Sequence, residues 1–140
     1  ADRAVSGVRT GIIAGAPVAE DLVTRIRDEL VPEIRIAYGL TETGSTVTIT
    51  RAADSSGKQV ATVGRPLEGT DLRVLDFDGS QLPLESIGEI AVRGPGVMQG
   101  YQMMRSSVMA THERHHLDRR SGYVLLATAG HRDALATVLH

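Results

Sequence analysis

The sequence predicts an α/β unit followed by an antiparallel sheet or small β-barrel. Three observations carry this reading. A short apolar run, Ile12 to Ala14, stops at Gly15-Ala16-Pro17. An amphipathic stretch follows, and then a second apolar run at Ile34-Arg35-Ile36-Ala37. From about Thr46 the hydrophobic period drops to two.

The first run reads as a buried strand meeting a turn. In "AEDLVTRIRDEL", Leu22, Val23, Ile26 and Leu30 recur on one helical face, Glu20 and Asp21 occupy the first turn, and Pro32 stands beyond the end. Strand, helix and strand make a βαβ unit, which should cross over right-handedly between parallel strands. Gly15-Ala16-Pro17 and Tyr38-Gly39-Leu40-Thr41-Glu42 then both leave the carboxyl edge of the sheet, where open α/β sheets bind ligands. Beyond Thr46, the pairs Val47/Ile49, Val60/Thr62, Leu72/Val74 and Ile90/Val92 read as strands joined by short turns, with Asp78-Gly79 as a hairpin turn. "DFDG" opens like a calcium loop, but its twelfth position is Ile87 where the bidentate glutamate is needed, so the turn is preferred. In the tail, "SGYVLLATAGHRDALATVLH" suits a strand, a turn and a helix.

Composition narrows the class. A chain of 140 residues, 41% of them hydrophobic, suffices for a core of its own. The net charge of −2 gives no basic excess for nucleic acid or a membrane surface. The absence of cysteine excludes disulfides, thiolate metal sites and cysteine nucleophiles. No apolar run has the length of a transmembrane helix, and the first residues lack a signal-peptide core, so a cytoplasmic protein is expected.

Several arrangements are weighed and set aside. Ser121, His131 and Asp133 can be read as a nucleophile triad, but no G-x-S-x-G elbow supports it. Gly57-Lys58 lacks the glycine pattern of a phosphate loop. His112 and His116 have the spacing of a two-histidine metal site; a solvated basic stretch is preferred, and a hydrolase-like site there is the least favoured reading.

Four segments in order, "AGAP", "YGLTE", "KQVATVGRPLEGTDLRVLDFDGSQLP" and "GEIAVRGPGVMQGY", strongly resemble the adenylate-forming (AMP-binding) ligase superfamily over Val8 to Tyr101. The last segment, paired with "TVGRP", is most similar to the acyl-CoA synthetase branch. The resemblance implies a portion of the large N-terminal domain: residues 1–45 as its βαβ part, 46–101 as a small antiparallel β-barrel and 102–140 as a divergent tail. It also implies that Gly15, Ala16 and Pro17 line the adenine pocket, that Tyr38 packs on the adenine, and that Gly39 leaves room for the acyl group. Thr41 would contact phosphate, and Glu42 would help hold Mg²⁺. ATP, Mg²⁺, CoA and a carboxylic (fatty) acid are the implied cofactors and substrates. Such chemistry needs donors and a cation where charge builds on the α-phosphate.

The sequence also departs from the family pattern. Within residues 1–140 no Ser/Thr/Gly-rich loop with a lysine is found. Either Thr128-Ala129-Gly130 stand where a ribose-binding Thr-Gly-Asp belongs or, with "GYVLLATAGHRDAL" aligned on the later hinge segment, that motif is deleted; both alignments cost the aspartate. Glu85-Ser86 replaces the favoured Gly-Glu. The single lysine is Lys58, outside any catalytic position. A portion of an acyl-CoA synthetase, inactive alone, is therefore expected. The alternative is a non-catalytic remnant that binds nucleotide or acyl group, or uses its exposed sheet edge to pair with itself or another protein; under either reading a dimer or larger assembly through exposed sheet edges is expected.

Overall fold

The computed structural model describes residues 7–83, 86–99, 117–118 and 123–126. Strand β1 (Thr10–Ile13) is followed by helix α1 (Glu20–Glu29) and strand β2 (Glu33–Tyr38). β1 and β2 pair in parallel, with Ile13 opposite Ile36, so the expected βαβ unit is present. Glu20 and Asp21 lie in the first turn of α1, where carboxylates favour the positive end of the helix dipole.

Only part of the predicted apolar face of α1 is covered. Val23 is buried and Ile26 packs with it on Ile34 and Ile36, together with Ile13, Val18 and Val60. Leu22 and Leu30 instead remain 45% and 51% exposed.

A 3₁₀ turn, Thr41–Thr43, follows β2. β3 (Thr48–Ile49) then returns antiparallel to β2, with Thr48 opposite Tyr38. Helix α2 (Ser56–Ala61) and β4 (Arg65–Pro66) come next, and β4 pairs antiparallel with β3. The first sheet therefore has the order β1-β2-β3-β4 and is mixed. Two buried threonines fasten it. Thr50 Oγ1 accepts the Ile36 N–H at 2.9 Å, and Thr48 Oγ1 donates to the Val63 carbonyl at 2.8 Å.

β5 (Asp71–Leu75), β6 (Glu89–Arg93), β7 (Leu117–Asp118) and β8 (Tyr123–Leu126) form a second, antiparallel sheet in the order β5-β6-β8-β7. The turn at Asp78-Gly79 is as expected. The Gly79 N–H donates to the Asp76 carbonyl at 2.9 Å, and Asp78 Oδ1 accepts the Ser80 N–H at 2.8 Å; hydrogen bonding by the Ser80 side chain, and then by this N–H, lowers the pKa of the Asp78 carboxyl.

Two expectations are corrected. The strands expected to close one small barrel are divided between the two sheets, and the described residues contain no closed barrel. The physical reason is that β3 and β4 continue the hydrogen-bonded edge of β2, which leaves β5 and β6 to begin a separate sheet. Val60 lies in α2, not in a strand. There Gln59 Nε2 donates to the carbonyls of Ala52 and Asp54 at 3.1 and 2.8 Å, bonds that favour a helical turn over an extended backbone.

The two sheets meet over a shared apolar cluster. Val47 packs with Ile90 and Val92 of β6, and Tyr38, Leu40, Val63, Leu72 and Val97 close around them.

Candidate functional site

Register places the two predicted ligand turns side by side. Ile13 and Ile36 are the last paired residues of β1 and β2, so Gly15 and Tyr38 each lie two positions beyond that pair on the same sheet edge. Gly15, Ala16 and Pro17 are exposed, and Gly15 has a positive φ of +88° with open space around its α-carbon. An exposed turn with no side chain at Gly15 and small ones at Ala16 and Pro17 suits the backbone approach of a flat ring.

Tyr38 ends β2 half-buried. Its ring packs on the cluster around Val47, Ile90 and Val92, and its hydroxyl is buried without a hydrogen-bond partner among the described residues. Burial raises the pKa of the phenol above 10.0.

Gly39 has a local reason to be glycine as well as the one implied by resemblance. A Cβ there would collide with the Ser45 carbonyl and approach the Thr46 α-carbon to 2.8 Å, because the loop folds back at once. That reversal is made by two successive left-handed residues, Gly44 at φ 72° and Ser45 at φ 76°.

Thr41 and Glu42 lie in the 3₁₀ turn, with Thr41 exposed and Glu42 half-buried. A residue the sequence reading did not single out holds this turn. Thr43 is 3% exposed; its Oγ1 accepts the Leu40 N–H at 3.0 Å and donates to the Leu40 carbonyl at 3.0 Å. The same carbonyl accepts the backbone N–H of Thr43 and of Ser45. The only available signal was the threonine letter itself, since a hydroxyl bonding three residues back is ordinary turn chemistry.

The turn is also tied to the second sheet. The Met98 N–H donates to the Glu42 carbonyl at 2.9 Å. The segment "YGLTE" thus touches the loop that follows "EIAVR" in β6, although the two motifs are far apart in sequence.

The chemistry of this donor set fits a magnesium nucleotide. Mg²⁺ commonly takes one or two protein carboxylates and completes its shell with phosphate oxygens and water. Glu42 carries a carboxylate and is next in sequence to Thr41 on the turn; no cluster of three His, Cys, Asp or Glu that could hold a metal occurs among the described residues. The letters His112-Glu113-Arg114-His115-His116 do keep the H-E-x-x-H order, with the acid directly after the first histidine. They lie outside the described residues, as do Glu85, Ser121, Thr128-Ala129-Gly130, His131 and Asp133.

Comparison with known proteins extends the picture. The AMP-binding enzyme family profile matches residues 1–102. The acyl-CoA ligase sidI of Aspergillus fumigatus is 36% identical over 97 residues, which are 69% of this chain and 16% of that protein. The 2-succinylbenzoate–CoA ligase of Enterococcus faecalis is 32% identical over 94 residues, covering 67% of this chain and 19% of its own length. Among solved structures, apo MatB from Rhodopseudomonas palustris aligns with a TM-score of 0.65 at 28% identity, over 84% of this chain and 22% of that one. The long-chain-fatty-acid-CoA ligase FadD1 from Archaeoglobus fulgidus, at 24% identity and a TM-score of 0.65, covers 85% of this chain and 24% of its own, and shares the fold. The chain therefore spans 16% and 19% of the length of the two curated relatives named here.

Proposed function

Because the chain belongs to the AMP-binding enzyme family, we propose that it is a portion of an acyl-CoA synthetase that forms part of the ATP site. In that reaction a carboxylate oxygen of the acid attacks the α-phosphorus of ATP and pyrophosphate leaves. The CoA sulfur then attacks the acyl carbonyl, and AMP leaves as the thioester forms. Fatty acids are the proposed substrate class, and the cytoplasm the proposed location. Among the described residues no helix is long and apolar enough to cross a membrane.

The observation that carries this reading is the juxtaposition of Gly15-Ala16-Pro17, Tyr38 and the Thr41–Glu42 turn at one sheet edge. In the proposal, the exposed backbone of Gly15 to Pro17 and the ring of Tyr38 hold the adenine, and the Thr41 hydroxyl donates to a phosphate oxygen. Glu42 supports Mg²⁺, which when bound would offset charge building on the phosphate.

The reading includes inactivity of this chain alone. Its one lysine, Lys58, is exposed on α2, away from the turn's sequence neighbourhood. A transferring α-phosphate would then lack a cationic donor from this chain's lysines, a large loss of transition-state stabilisation.

A second reading, a nucleotide- or acyl-binding remnant that self-associates, is supported by the edge strand β1. Ile12 on β1 is 64% exposed, and the strand has no partner on its outer side among the described residues. Unpaired strand edges bearing apolar side chains favour pairing with another chain.

Calorimetric titration of ATP with Mg²⁺ into the 140-residue chain tests the site. A dissociation constant tighter than about 100 μM, worth about 5.5 kcal/mol, and lost in Glu42→Ala, is the expected result for retained binding. Affinity weaker than about 1 mM, or binding indifferent to Glu42→Ala, overturns the assignment of a working nucleotide half-site.

A further inference from the structure

Thr43 and Gly96 are the two residues at which the 3₁₀ turn and the loop after β6 become one body. Thr43 fixes the turn from within, because a single buried hydroxyl serves both the N–H and the carbonyl of Leu40. Gly96 receives the turn from outside. A Cβ on Gly96 would stand 2.8 Å from the Thr43 carbonyl oxygen, and a Cβ on Gly44 would stand 3.0 Å from the Gly96 carbonyl oxygen. Each backbone occupies the space that a side chain on the other would need. The Met98 N–H then closes the contact on the Glu42 carbonyl at 2.9 Å.

Glu42 is bracketed as a result. On one side its peptide is bonded to the β6 loop, and on the other the next residue is locked to Leu40. The loop itself is closed by the Val97 N–H donating to the Gly94 carbonyl at 3.1 Å, and Val97 packs into the cluster with Val47, Ile90 and Val92. The turn that carries Thr41 and Glu42 therefore rests on the hydrophobic core through a backbone-to-backbone seat.

From this geometry we infer that Thr43 and Gly96 are positioning residues, which fix the Thr41 hydroxyl and the Glu42 carboxylate for a magnesium-bound phosphate by clasping the turn to the loop after β6. The inference rests on the reading of Thr41 and Glu42 as phosphate and metal contacts. The mechanical clasp is separable from that reading, because it predicts coupling between two loops with no ligand present.

The test is amide hydrogen exchange on the 140-residue chain, followed by titration with ATP and Mg²⁺. Thr43→Val keeps the shape and removes the shared hydroxyl. Exchange at the Met98 amide should quicken at least tenfold, and Thr43→Ser should restore protection. The Ile36 amide, held by Thr50 within the sheet, should not change. Gly96→Ala provides a second route and should quicken exchange at Thr43 and Ser45, so the clasp stays testable if Thr43→Val fails to fold. Where the parent chain binds the nucleotide, both variants should weaken it at least tenfold and Thr43→Ser less than threefold. Unchanged Met98 exchange in folded Thr43→Val, or unchanged Thr43 and Ser45 exchange in Gly96→Ala, overturns the clasp. A normal exchange response with undiminished affinity overturns the positioning role. A parent chain that binds no nucleotide overturns the retained-site reading and the positioning role together, while the exchange results still decide the clasp.

Discussion

Asp54 and Arg65 face each other across the connection between β3 and β4, with the arginine Nη2 3.3 Å from the Oδ1 of a carboxylate whose side chain is 5% exposed. The other carboxylate oxygen accepts the Arg51 N–H at 2.7 Å, so Asp54 closes the Arg51–Asp54 turn while holding the first residue of β4.

The two partners should differ in consequence. Asp54→Ala removes a charge-assisted turn bond and an ion pair together and should cost about 1–2 kcal/mol. Arg65, more than half exposed, works against solvent screening, and Arg65→Ala should cost less than about 1 kcal/mol. Urea midpoints of the two variants give the order directly, and a larger loss for Arg65→Ala would contradict the assignment of Asp54 as the organising residue.

Tyr38→Phe should leave stability within about 1 kcal/mol of the parent, on the stabilising side, because it removes a buried hydroxyl that has no hydrogen-bond partner among the described residues. The same group gives a pH dependence. Burial raises its folded pKa above 10.0, so its contribution is fully present below that value and is lost as the pH rises through it. Melting temperatures measured between about pH 8 and 11 should fall at the alkaline end in the parent and fall less steeply in Tyr38→Phe.

Gly39→Ala should destabilise the chain even with no ligand present, since the new methyl group meets the Ser45 carbonyl. A cost above about 2 kcal/mol follows the usual penalty for overpacking. Gly15→Ala has open space and only its positive φ to contend with, at about 1 kcal/mol. Thermal melts of the two variants should therefore rank Gly39→Ala well below Gly15→Ala.

Ile12→Lys should convert a dimer or larger assembly to monomer if the β1 edge is the contact, because a charge on an edge strand opposes pairing. Light scattering over a concentration series reads this. A parent chain that stays monomeric at every concentration sinks the self-association reading.

The elements with one clear period were legible in the sequence. β1, α1 and β2 follow from an apolar run, a helical stripe and a second run, and their parallel pairing follows from the length of the crossover. Val60 and Thr62 misled because two β-branched residues two apart imitate a strand, whereas Gln59 bonds to the turn just upstream, at Ala52 and Asp54, favour a helical turn there. Exposed Leu22 and Leu30 show that a stripe reports what a helix can bury, not what this structure covers. The barrel expectation failed because alternation reveals strands but not which edge each one joins. At the site, Tyr38, Thr41 and Glu42 were singled out by the sequence as proposed contacts. Thr43 and Gly96 were not, because their importance lies in a backbone contact between segments that no local pattern connects.

The hairpin between β2 and β3 has a closing pair, Tyr38 opposite Thr48, and a bond at its base from the Val47 N–H to the Tyr38 carbonyl at 2.7 Å. Residues 39 to 47 are thus pinned at both ends, and their internal bonds run largely among themselves. The segment behaves as a cassette seated in a frame. Its chemical letters can be exchanged at Thr41 and Glu42 without moving the register of any strand, whereas a change in its length must be absorbed before Thr48 or it would carry the error into β3, β4 and everything paired with them.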